Sequence, residues 1–172
     1  MLYEKLLKGK YPDPEFQKRF NNPEDYPLAS EIRIAIGYEG RMDEIPRTLR
    51  FPIDSFNING KPINYLTITH YGYEPDFAPA GHTLITCSIN QFHADYDAWN
   101  ALAEDPSAYS REKTRIGKEV IAGIEKRFPH MSGKLKLLDV ATPKTFERYW
   151  NAYRGAVMPF LATIKGKMMA HT

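Results

Sequence analysis

"NYLTITHYGYEPDFAPAGHTLITCSINQF", Asn64 to Phe92, decides the fold class. Its first third alternates, with Tyr65, Thr67 and Thr69 on one face and Leu66, Ile68 and His70 on the other. The last third, "HTLITCSINQF", reads as a second strand. Between them, Tyr71 to Gly81 is turn chemistry rich in proline and glycine, and it is too short for a helical crossover. The two strands are therefore expected to run antiparallel.

Upstream, "SEIRIAIGYEG" (Ser30 to Gly40) places Ile32, Ile34 and Ile36 opposite Glu31, Arg33 and Ala35, the pattern of a half-buried strand. "RTLRFPI" (Arg47 to Ile53) is a further short strand, confined by Pro52 to an edge or ended by it. Asn59-Gly60 is a hairpin turn signal. The opening "LYEKLLKGKYPDPEFQKRFNN" suggests two short helical pieces broken at Tyr11 to Pro14, with Pro14 in the first turn of the second.

After Asp95 the hydrophobic period changes from two to nearly four. "DYDAWNALAED" is expected to be a helix closed off by Pro106. "PSAYSREKTRIGKEVIAGIEKRF" is the longest helix, with Ile116, Val120, Ile121, Ile124 and Phe128 as its apolar stripe and Pro129 as its stop. Gly117 and Gly123 each weaken it by about 1 kcal/mol relative to alanine, so packing must hold it in place. "KLKLLDVAT" is a last strand. Thr142 then serves as N-cap and Pro143 as first residue of the helix "PKTFERYW". The expectation is one α+β domain over residues 1–172, a mostly antiparallel mixed sheet with helices packed on one face.

Composition agrees with an ordered chain. It has 172 residues, 42% hydrophobic and 13% aromatic, with 13 prolines and 11 glycines. A formal charge of +2, with acids and bases interspersed, argues against a nucleic-acid partner. No apolar run approaches the roughly 20 residues of a membrane span. The first residues lack the apolar core of a signal peptide. A soluble, cytoplasmic protein is the expectation, and the single Cys87, inside an apolar run, reads as a buried, inert thiol.

Little in the chain announces chemistry. No two glycines are separated by one residue, so neither a dinucleotide fingerprint nor a phosphate-binding loop is present. None of the five histidines pairs with another at i, i+4. "HADYD" gathers His93, Asp95 and Asp97, residue types that can bind a metal, but Asp95 reads better as a helix N-cap, and no metal site is expected. His70, beside Tyr71 and Tyr73 at a strand end, either faces a ligand or is ordinary core. Phe146, Tyr149 and Trp150, followed by Tyr153-Arg154-Gly155, either dock a short helix by its rings or make an apolar wall with a small residue where backbone approaches something flat.

"RFPHMSGKLKLLDVATPKTFERYWNAYRGAVM" (Arg127 to Met158) resembles the late part of flavin-dependent enzymes of the phytoene desaturase, carotenoid isomerase and retinol saturase group. The matching features are Arg127-Phe128-Pro129, a strand, Thr142-Pro143-Lys144-Thr145, an aromatic helix, and Asn151 followed by Arg154-Gly155. "DFAPAGHTLI" (Asp76 to Ile85) resembles the family's Ala-Pro-x-Gly-Lys turn, with His82 where lysine is usual. The resemblance runs from about Tyr11 to Met158, and each motif alone is modest.

The resemblance implies the substrate-binding domain of a flavoprotein amine oxidase-like fold, acting in a FAD-dependent oxidoreductase on a hydrophobic, isoprenoid or polyene substrate. Both glycine-rich flavin segments of the family are missing: the chain is expected to begin after the first and to stop, at "IKGKMMAHT", before the second. FAD would then be held by a separate domain of the same parent chain, and this part alone would be inactive. The resemblance assigns Tyr149, Tyr153, His70, Tyr65 and Arg33 to substrate and Arg154 and Gly155 to the flavin; it identifies no catalytic acid or base. Peripheral membrane contact and a homodimer through the exposed domain face are compatible with it. The competing readings are a stand-alone binder of apolar ligands and a dimerisation module, both without redox activity.

Overall fold

The computed structural model describes residues 7–11, 13–158 and 160–161. The first helical piece expected near the amino terminus and the segment "IKGKMMAHT" fall mostly or wholly outside these residues. Over the described residues the fold is α+β, with a five-stranded antiparallel sheet and four α-helices. The strands are β1 (Ala29–Tyr38), β2 (Thr48–Ile58), β3 (Lys61–His70), β4 (Thr83–Phe92) and β5 (Leu135–Ala141). The helices are α1 (Pro14–Phe20), α2 (His93–Leu102), α3 (Pro106–Arg127) and α4 (Pro143–Trp150). Spatial order in the sheet is β2-β3-β4-β1-β5.

Contacts divide the chain into two compact units. The first is assembled from Met1–Glu31, Asn90–Asn100 and Thr142–Thr172, and the second from Ile32–Ile89 and Ala101–Ala141.

In the second unit the hairpin β2–β3 closes through Asn59 (φ 50°) and Gly60 (φ 77°), with Ile58 opposite Lys61. Two consecutive left-handed residues are the twist-matched hairpin turn. β2 is an edge strand, which is why Pro52 is tolerated, and the pairing is interrupted between Pro52 and Phe56. The strand nevertheless continues to Ile58, five residues further than the sequence pattern suggests. β3 and β4 are antiparallel, Thr67 opposite Ser88 and Thr69 opposite Thr86.

One sheet face is the core of this unit. Ile34, Ile36, Leu66, Ile68, Ile85 and Cys87 are buried there, as are Ile116, Val120 and Ile124 on α3. Burying each of these aliphatic side chains contributes about 1.5–3 kcal/mol. The helix glycines are what let α3 approach the sheet. A Cβ at Gly117 would lie 2.5 Å from Leu137 Cδ2, and one at Gly123 would lie 3.0 Å from Ile53 Cγ2. α3 starts at Asp105, whose carboxylate accepts from the Ser107 and Ala108 amides, with Pro106 in the first turn. It ends with Phe128 as C-cap, directly before Pro129.

In the first unit, Phe16 and Phe20 of α1 meet Phe160 edge-on at 5.7 and 4.8 Å, and Tyr153 meets Phe20 at 4.8 Å. Trp99 is fully buried, and its indole nitrogen donates to Gln91 Oε1 at 2.8 Å. α2 begins earlier than the sequence suggested. Asp95 lies in its first turn and not at the N-cap, and its carboxylate reaches back to accept the Phe92 amide at 2.8 Å. The amide it satisfies is that of Phe92, just before the helix, so Asp95 acts as the returning half of a capping box and not as the cap itself. No helix among the described residues is long and apolar enough to cross a membrane.

Candidate functional site

The stretch from Thr142 to Gly155 is tied into a tight knot in the first unit. Pro143 sits at the start of α4, and the Thr142 amide donates to Thr145 Oγ1 at 3.0 Å. Asn151 ends the helix in the left-handed region (φ 54°), and a 3-10 turn, Tyr153–Gly155, follows with Arg154 at φ 51° and Gly155 at φ 66°. Gly155 is buried, and a Cβ there would lie 2.0 Å from the Pro143 carbonyl oxygen. Its own carbonyl accepts from Ser30 Oγ at 2.6 Å. The chain itself, packing against this position, accounts for the glycine.

Around that turn is a cluster of polar side chains from α2 and α4. Arg154 donates to Asp97 at 2.7 Å and to the His93 carbonyl at 3.0 Å, and its guanidinium lies 4.5 Å from the Tyr96 ring centre. The Tyr96 hydroxyl donates to Glu147 at 2.7 Å and accepts from Lys144 at 3.2 Å. Lys144 is also ion-paired with Glu147 and donates to Asn100. Partial burial, then the Glu147 hydrogen bond, raise the Tyr96 pKa, so the phenol stays protonated. Burial alone would lower Lys144, but Glu147 and Tyr96 outweigh it and the ammonium is held charged. Burial, then Arg154, push His93 below its ordinary range. Two atoms in this cluster, His93 Nδ1 and Arg154 Nε, are buried with no hydrogen-bond partner. The arrangement can orient and hold charge, but it contains no activated nucleophile.

On the second unit, the sheet face opposite the core is built of small and hydroxyl-bearing residues. Thr67 and Thr69 of β3 stand beside Ser88 and Thr86 of β4, all half-buried. Thr48 and Thr69 share a hydrogen bond between their hydroxyls at 3.1 Å. β1 adds Ala35 and Gly37. Tyr65 (52% exposed) continues this face along β3, and the exposed Arg33 continues it along β1.

The residues singled out from the sequence therefore fall into three environments. Tyr65 and Arg33 share the open sheet face. His70 does not: it is 7% exposed and points to the core side. Its Nε2 donates to the Ile45 carbonyl at 3.0 Å and its Nδ1 accepts from the Gly72 amide at 3.3 Å, so both ring nitrogens are engaged internally. Tyr149, Tyr153, Arg154 and Gly155 belong to the first unit. Tyr149 is 72% exposed at the end of α4 beside the exposed Trp150, whereas Tyr153 is packed against Phe20. The Tyr96–Lys144–Glu147 cluster was missed from sequence, because Lys144 and Glu147 alone read as an ordinary i, i+3 helix pair and Tyr96 lies 48 and 51 positions away from them.

At the two residues assigned to the flavin, a Cβ on Gly155 would meet the Pro143 carbonyl, and the terminal guanidinium nitrogen of Arg154 donates to Asp97 and to the His93 carbonyl. No group of three or more His, Cys, Asp or Glu among the described residues could hold a metal ion. Cys87 is buried and its thiol is pushed up to about 12, first by desolvation, which removes it as a nucleophile. Comparison with family models, curated proteins and solved structures finds no match to this chain.

Proposed function

We propose that this chain is the substrate-binding part of a FAD-dependent oxidoreductase related to the phytoene desaturase group, built on the substrate domain of an amine oxidase-like flavoprotein fold. The flavin would be held by a separate domain of the parent chain and would supply the redox chemistry there. The substrate class is a hydrophobic isoprenoid or polyene.

The observation that carries this reading is the open sheet face. Small, uncharged residues (Ala35, Gly37, Thr67, Thr69, Thr86 and Ser88) give a smooth floor on which an extended apolar chain can lie, bounded by Tyr65, whose ring has the Arg50 guanidinium 5.1 Å from its centre. The work of this chain is then to hold substrate carbons in one line and keep water from them; it supplies no acid or base. The family-like string from Thr142 to Gly155 also folds as one connected turn, as expected if its residues are kept together for structural reasons.

The test uses native protein from its own cells, captured with an antibody to this chain, whose intact mass and visible spectrum are recorded together. The expected result is a chain well above 19.8 kDa with a flavin absorption band. A colourless protein of this chain's own mass would overturn the proposal in favour of a stand-alone binding module.

A further inference from the structure

A groove of about 430 Å³ opens in the second unit between the loop joining β3 to β4 and the strand β5. That volume is within the roughly 300–1,000 Å³ of small-molecule sites. Its two walls differ in origin. Phe77, Ala78 and Pro79 come from the loop, and Leu138 stands opposite on β5.

Both walls are positioned by the fold. Phe77 is 54% exposed yet its ring rests on Tyr71 at 5.2 Å, and Tyr71 in turn neighbours Tyr73, which Arg47 covers at 3.9 Å. Thr83 Oγ1 donates to the Gly40 carbonyl at 2.7 Å and pins the far end of the loop. Leu138 is the extra residue of a β-bulge: Ala35 pairs with Asp139 and Ile36 with Leu137, which leaves Leu138 without a cross-strand partner. It is 53% exposed and lies beside Gly37, 3.7 Å from where a Cβ would be. A bulge re-aims a side chain that regular pairing would place elsewhere. The two side chains put exposed apolar surface on both walls of one groove, the arrangement an apolar ligand can cover.

The groove lining also carries charge. Lys134, Lys136 and His82 line it against one acid, Glu39. Among the described residues, neither lysine is ion-paired to a carboxylate. His82 Nδ1 donates to the Ala80 carbonyl at 3.1 Å, which holds the ring at the groove.

We infer that this groove binds a single-chain amphiphile with an anionic head, its chain along Phe77, Pro79 and Leu138 and its head at Lys134 and Lys136. The groove meets the open sheet face at Gly37, but the inference needs neither flavin nor a second domain, and a failed flavin test would leave it standing.

The test is calorimetric titration of this chain with decanoate below its micelle concentration, beside decanol as the headless analogue. Saturable binding of decanoate, at least about tenfold tighter than decanol and weakened by added salt, is expected. Phe77→Asp and Lys136→Glu should each lower affinity by about tenfold, and Glu39→Gln should raise it. All three positions are exposed, so unchanged melting temperatures would show that the fold is intact. No saturable binding, equal binding of decanol, or indifference to both Phe77→Asp and Lys136→Glu would each overturn the inference.

Discussion

A Cβ on Gly155 would sit 2.0 Å from the carbonyl oxygen of Pro143, at a position whose φ is already +66°. Gly133 has nearly the same φ, +72°, but nothing within 4 Å. The pair separates backbone strain from collision. Gly133→Ala should cost about 1–2 kcal/mol, the left-handed penalty alone. Gly155→Ala should cost well over that, because backbone cannot yield as a side chain can. Urea midpoints of the two variants decide the matter; equal losses would mean that the Pro143 approach is not rigid.

Gly117 tests the opposite assumption about helices. In an exposed helix interior, glycine to alanine stabilises by about 1 kcal/mol. Here the new methyl would meet Leu137 at 2.5 Å, so Gly117→Ala should destabilise instead. Leu137 is half-buried, so Leu137→Ala alone should cost about 1–2 kcal/mol, yet adding Gly117→Ala to it should cost less than in the wild-type chain. A double-mutant cycle with no coupling would contradict the close packing of α3 on β5.

The polar cluster predicts a pH dependence. His93 is held below its ordinary 6.5, by burial first and Arg154 second, with Asp97 opposing. The unfolded chain therefore takes up this proton at higher pH than the folded chain. Well above pH 6.5 neither form holds the proton; as pH falls through 6.5 the unfolded chain protonates first, and stability is lost down to the folded-state pKa. Denaturation midpoints measured between pH 7.5 and about 5 should decline, and His93→Gln should decline less over that window. Parallel profiles would remove His93 as the cause.

Tyr96→Phe deletes the hydroxyl shared by Glu147 and Lys144 while leaving the ring under Arg154. A loss of about 0.5–1.5 kcal/mol is expected, since Glu147 and Lys144 keep each other. A loss above about 3 kcal/mol would indicate that the phenol organises more than this pair.

Cys87 should resist thiol reagents in the folded protein at pH 8, because its thiol is buried and pushed up to about 12. Labelling should proceed only at the rate at which the chain opens, and should become immediate in strong denaturant. Rapid labelling without denaturant would show that β4 is accessible in solution.

Much of the architecture was legible locally. The alternation in "NYLTITHY" and "HTLITCSINQF", the Asn59-Gly60 turn and the proline-marked starts of α3 and α4 are short-range signals, and each appears where it was read. The length of β2 was not legible, because Pro52 is a break in isolation and only the edge position makes it harmless. The helix start before Asp95 was misplaced because an aspartate can cap from within the first turn as well as from its threshold.

By itself the sequence determined which segments become strands and helices, since periodicity and turn residues act over a few positions. Tertiary structure alone decided the roles of individual side chains. It turned His70 inward with both nitrogens bonded, set Pro143 against Gly155, joined Tyr96 to Glu147, and used a bulge to aim Leu138 across the groove from Phe77. Those relationships join residues distant in the chain, and their energies depend on approach distances of a few ångströms that no local pattern encodes.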